Sequence, residues 1–143
     1  MAGFDVVRET PLPASQAWER VTDWKLHGEH APLTSVTVHG SPGSPGESFV
    51  ARTAVGPFGF DDPMAVTYRR RPTATDAGIA RLVKQGTVVL GWAVLTVTPT
   101  ASGSEVHWHE EARLRFTRGP VVTVVNKVLA VAFGRLLDSL LRP

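Results

Sequence analysis

A run of β-type segments closes, at the end of this chain, on a single long helical stretch. Val121, Val125, Val128, Leu129, Ala132, Leu136 and Leu140 recur at helical spacing. Gly119-Pro120 supplies a preorganised entry, and Thr123, Lys127, Ala130, Gly134, Asp138 and Arg142 form a milder, wetter side. At about 1.5 Å per residue such a helix is roughly 30 Å long, enough to cross a small domain. The segments before it read as strands: Phe4 to Thr10, Ser35 to His39, Glu47 to Val55, Met64 to Arg71, Ile79 to Gln85, Val88 to Thr98 and Glu105 to Phe116. Gly40 to Gly46, Gly56 to Gly59, Pro72 to Gly78, Gly86-Thr87 and Ala101 to Ser104 carry the turn chemistry between them. Two short helical pieces, Ala14 to Thr22 and Lys25 to His30, follow the first strand. Consecutive hairpins imply an antiparallel sheet. One apolar face of that sheet needs a cover, and the long helix is the element able to provide it. The expectation is α+β: a curved seven-stranded sheet around the C-terminal helix, in one domain spanning residues 1–143.

The bulk properties exclude more than they assign. With 143 residues the chain can bury roughly two-thirds of its unfolded surface. It has no cysteine, which removes thiol nucleophiles, disulfides and zinc–thiolate sites. Fifteen basic against thirteen acidic side chains leave a net charge of +2, too weak a field to suggest nucleic acid. Arg69-Arg70-Arg71 alternates across a strand, so it reads as a solvated edge rather than one flat basic patch. The N-terminus lacks the basic and apolar runs of a signal peptide, and the terminal helix is interrupted by Lys127, Arg135 and Asp138. A cytoplasmic protein with no stable membrane insertion is expected.

Taken in order, several stretches resemble the START-like, Bet v 1-like superfamily, in its polyketide cyclase/dehydrase and lipid-transport (SRPBCC) branch. They are Arg8-Glu9-Thr10 leading into Pro13-Ala14; Val21-Thr22-Asp23-Trp24 with His27; Gly86 to Val97; Val106 to Glu110; and the terminal helix. The resemblance implies a helix-grip fold with an apolar cavity between sheet and helix. It also implies either a carrier or sensor of a hydrophobic small molecule or lipid, or a cyclase or dehydratase of polyketide-like substrates.

Candidate site residues follow from strand parity. In the last strand Val106, Trp108, Glu110, Ala112, Leu114 and Phe116 share the inner face, which puts a carboxylate among apolar neighbours. Burial would raise its pKa and suit it to acid–base work or to orienting a ligand; alternatively it reaches the cavity rim or pairs with an arginine. His27 lies where the resemblance places the cavity mouth, as a ligand contact or a second acid–base group. Trp24 is expected at the entrance. Met64, Val66 and Tyr68 share one parity, with the Tyr68 hydroxyl available to a ligand carbonyl or else lying at the sheet edge. Val125, Asn126 and Leu129 face the sheet from the helix. His107 and His109 share the outer face with Glu111 and read as solvated imidazoles, so no metal is expected. No cofactor is implied; phosphate-loop and serine-elbow motifs are absent from the sequence. Both faces of Val88 to Thr98 are apolar, with Trp92 and Val94 opposite Ala93, Leu95 and Val97. One face should line the cavity; the other motivates a homodimer or a protein-interaction role.

Overall fold

The computed structural model describes residues 3–44, 46–115 and 120–142. Its elements run β1 (Phe4–Thr10), α1 (Ala14–Val21), α2 (Trp24–His30), β2 (Thr34–His39), β3 (Ser48–Val55), β4 (Phe58–Arg70), β5 (Gly78–Lys84), β6 (Val89–Thr100), β7 (Gly103–Leu114) and α3 (Pro120–Leu140). The seven strands form one antiparallel sheet in the order β1-β7-β6-β5-β4-β3-β2. With two short helices after the first strand and one long helix at the end, this is the helix-grip fold expected from the sequence. The expectations for Phe116, Gly119 and the Leu114, Val121 and Val125 side chains lie outside what is described.

Alternation decides the inner face. Phe4 and Val6 on β1, Leu82 on β5, Ala93, Leu95 and Val97 on β6, and Val106 and Trp108 on β7 are buried together. This settles β6: Ala93, Leu95 and Val97 face inward, and Trp92 stands outside, half-exposed against the His109 ring at 5.2 Å. Asp23 caps α2 by accepting a hydrogen bond from the Leu26 amide at 3.2 Å, so that helix begins one residue earlier than its sequence pattern suggests.

Three differences from the sequence pattern matter for the site. First, β4 starts at Phe58 instead of Met64. Pro63 reads as a strand breaker, but the β4–β5 ladder ends at Met64↔Lys84, so no partner on that side needs a Pro63 amide. The extension carries Asp62 onto the inner face, two residues from Met64. Second, the register slips between Val66 and Tyr68, so that Thr67 is an extra residue in the strand. The bulge reverses the parity beyond it. Val66 packs against the core, whereas Tyr68 is turned outward, 42% exposed, under the Arg81 guanidinium. Tyr68 therefore leaves the candidate cavity set, and Arg69 takes the inner position. Third, α3 is rotated relative to its apolar periodicity. Val128 and Ala132 are exposed, while Gly134, Leu136, Leu137 and Leu140 are buried. At Gly134 a Cβ would lie 2.6 Å from the Arg8 guanidinium, which would have to shift to admit it. Arg8 reaches Asp138 at 2.7 Å.

Candidate functional site

Glu110 is 4% exposed, on the inner face of β7 between Phe4 of β1 and Ala93 of β6. Its partner is not an arginine. The Lys84 ammonium lies 3.7 Å from Glu110 Oε1 and 2.6 Å from Asp62 Oδ2. Gly91 and Ala93 explain the reach. They are the small inner-face residues of β6, the strand that separates Lys84 on β5 from Glu110 on β7. Gly91 has φ +137°, and an added Cβ would strike the Glu111 carbonyl, so glycine is required there.

The three groups are deeply placed: the Lys84 side chain is 2% exposed, that of Glu110 6% and that of Asp62 19%. Burial pushes the Glu110 carboxyl well above the usual carboxylate range; Lys84 opposes that shift and Asp62 reinforces it. The Trp108 indole N–H approaches the carboxylate and slightly favours its charged form, but makes no hydrogen bond of ordinary geometry. Met64 Sδ lies 3.8 Å from Lys84 Nζ. Asp62 Oδ1 is buried without a hydrogen-bond partner.

Next to this triad is an aromatic wall. His27 is buried among Trp24, Trp108 and Phe133, with ring centroids 5.5, 6.1 and 6.1 Å away. Trp108 stacks on Phe133 at 4.3 Å, and Trp24 on Phe49 at 4.9 Å. His27 Nε2 donates to the Val21 carbonyl at 2.8 Å, and burial lowers its pKa from 6.5 to about 4. At neutral pH it is an uncharged imidazole fixed at one nitrogen. Ala112 is buried, and its carbonyl accepts from Asn126 Nδ2 at 3.3 Å. Asn126 thus ties α3 to β7. Leu129 packs against the core at its edge.

A second buried pair closes the other side of the aromatic wall. Arg69 Nη1 bonds both Glu47 oxygens, at 2.9 and 2.6 Å, and its Nη2 donates to Thr22 Oγ1 at 3.0 Å. Glu47 also accepts from the Trp24 indole at 3.2 Å and from the Gly43 amide at 2.9 Å. With side chains 2% and 12% exposed, Glu47 and Arg69 pin α1, α2 and the β2–β3 loop to the sheet. They line a cleft of about 270 Å³ together with Asp23, Trp24, Val38 and Arg71.

On the outer face, His107 Nε2 and His109 Nδ1 both lie against Asp5 Oδ1, at 2.7 and 2.8 Å. These contacts hold the Asp5 carboxyl below its usual range. Among the described residues, no group of three or more His, Asp or Glu side chains is arranged to hold a metal ion. Nor is any helix there long and apolar enough to cross a membrane.

The structure thus brings Trp24, His27, Met64, Trp108, Glu110, Ala112 and Asn126 into the interior, with Val66 and Leu129 at its margin. Sequence reasoning missed Asp62, Lys84, Glu47, Arg69 and Phe133. Lys84 was accessible to it, because Ala80, Leu82 and Lys84 alternate on one face of β5.

Over residues 1–142 the chain matches the model of a family described as polyketide cyclase / dehydrase and lipid transport. No curated protein matches its sequence. Solved structures with the same fold include a START superfamily protein from Mycobacterium smegmatis, at TM-score 0.73 and 13% identity, covering 97% of this chain and 96% of that one. The Zhui aromatase/cyclase from a Streptomyces species has TM-score 0.66 and 13% identity, over 97% and 93%. A point mutant of Thalictrum flavum norcoclaurine synthase, in complex with a transition-state analogue, has TM-score 0.64 and 13% identity, over 98% and 91%. At such identities the likeness is one of fold.

Proposed function

The chain belongs to the polyketide cyclase/dehydrase and lipid-transport family, and we propose that it binds a hydrophobic small molecule or lipid between the inner face of its sheet and α3. The observation that carries this reading is the composition of the inner face. An aromatic wall of Trp24, His27, Trp108 and Phe133 stands beside one compact polar group, Asp62–Lys84–Glu110. Ligand sites are typically built this way: mostly apolar, with a few convergent polar groups that fix orientation. In this reading Trp24, His27, Met64, Val66, Trp108, Ala112, Asn126 and Leu129 surround the hydrocarbon part and the Asp62–Lys84–Glu110 group meets a polar part. Native mass spectrometry of the protein isolated from its own source tests this. A co-purifying hydrophobic compound is the expected result. A bare protein that also takes up no long-chain probe would overturn the reading.

An enzymatic reading has its own observation. Acid–base chemistry on a carbonyl compound needs convergent titratable groups, and three meet here, including a carboxyl held up by burial. Glu110 would act as the acid or base and Lys84 would stabilise a developing enolate. His27 is a poorer candidate, because one ring nitrogen is occupied by Val21 and its proton affinity is low at neutral pH. Glu110→Gln separates the readings: catalysis requires turnover to collapse, whereas a carrier changes only in affinity.

A further inference from the structure

We infer that the ligand of the inner face is an uncharged amphiphile ending in a hydroxyl, an alcohol or phenol, which Lys84 and Asp62 hold between them. The inference rests on the hydrophobic-ligand reading and adds the chemistry of the polar end.

Among the described residues, three cations stand on the inner face of the sheet, and each already has a carboxylate. Arg8 pairs with Asp138 at 2.7 Å, Arg69 with Glu47 at 2.6 Å, and Lys84 with Asp62 at 2.6 Å. Glu110 adds a second carboxyl to the Lys84 group. Whether Glu110 is protonated or ionised, the triad carries no surplus positive charge. A carboxylate or phosphate head would enter beside two carboxyls that share one ammonium, with no cation among these three left over to meet it. Buried charge without a partner is strongly disfavoured.

The remaining hydrogen-bonding capacity narrows the class further. An ammonium has three protons. One is directed to Asp62 Oδ2; Glu110 at 3.7 Å is beyond hydrogen-bond range, and a thioether at 3.8 Å is a weak acceptor. Lys84 can therefore donate to a ligand oxygen. Asp62 Oδ1 is buried without a partner and needs a donor. A ketone or ether satisfies the lysine and leaves Asp62 Oδ1 stranded. An ammonium head satisfies Asp62 and sets a second cation beside Lys84. A hydroxyl accepts from Lys84 and donates to Asp62, so it meets both requirements.

Four probes of equal chain length separate these cases: 1-decanol, 2-decanone, decanoate and decylammonium. Each is titrated below its aggregation concentration into the ¹⁵N-labelled full chain at pH 7 and followed by amide shifts. The expected result is 1-decanol binding at least tenfold tighter than decanoate and decylammonium, and measurably tighter than 2-decanone. In Asp62→Asn, checked for folding by circular dichroism, Lys84 loses its nearest carboxylate, and the alcohol-to-decanoate ratio should fall at least tenfold. Decanoate or decylammonium matching the alcohol in the unmodified protein would overturn the inference, as would a ketone equal to the alcohol. Those comparisons need no variant, so a misfolded Asp62→Asn leaves them intact. If none of the four binds, the inference is overturned, and native mass spectrometry of the isolated protein decides the hydrophobic-ligand reading separately.

Discussion

Two buried groups should give this protein opposing pH dependences, which a single substitution can separate. His27 has its pKa lowered from 6.5 to about 4 by burial. The unfolded chain binds a proton through that window and the folded chain does not. The stability His27 contributes is therefore complete above pH 6.5 and is lost as pH falls towards 4. At 1.36 kcal/mol per unit, the shift corresponds to about 3 kcal/mol, a large part of the 5–15 kcal/mol typical of a domain. Glu110 acts in the other direction. Its folded pKa lies above the ordinary 4.5, so folding favours its protonated form, and stability is lost as pH rises through that raised value. Above pH 4.5 the two slopes oppose each other and flatten the wild-type profile. Glu110→Gln removes one of them. Urea denaturation of that variant at half-unit steps should show stability falling by about 3 kcal/mol from pH 6.5 to pH 4. In His27→Gln the trend should reverse, with stability declining as pH rises above 4.5. A Glu110→Gln profile that stays flat across the window would refute the assignment, as would a His27 ring resonance titrating near 6.5.

The paired groups predict further changes in stability. Lys84→Met leaves the Asp62 and Glu110 carboxyls together without a cation and should cost about 3 kcal/mol, at the low end for a broken buried pair because both acids can take up protons. For a chain of this length that is a drop in Tm of about 10 °C by calorimetry. Glu47→Ala strands the largely buried Arg69 guanidinium and should cost ~3–5 kcal/mol in urea denaturation. Asp61→Ala, which breaks the exposed Arg52 pair, should change stability by less than about 1 kcal/mol and serves as the control. Gly91→Ala should destabilise by more than about 3 kcal/mol, because the φ +137° backbone alone costs ~1–3 kcal/mol and a Cβ would also overlap the Glu111 carbonyl.

The architecture was legible because it depends on periodicity, whereas part of the site depends on where periodicity breaks. All seven strands and three helices could be read from alternation, helical spacing and turn residues, since burying one face of a sheet imposes a period of two whatever the side chains are. Glu110 could be found by the same rule, as a charge on an apolar parity. Tyr68 and Arg69 could not, because one extra residue at Thr67 exchanges their faces and nothing in the sequence marks the bulge. Asp62 lay outside the strand as read from Met64; Pro63, which lacks a ladder donor, is accommodated inside the longer strand because β5 ends alongside it. Lys84 stands at the end of its strand, where a lysine ordinarily turns to solvent. Its inward course depends on Gly91 and Ala93 being small, on a strand far from it in the local pattern. Each group that completes the triad is placed by a neighbour from another strand. A search of alternating strands for charged residues on the buried parity, extended through their last residues and set against small residues on the adjacent strand, is the sequence signal that would have brought Lys84 and Glu110 together.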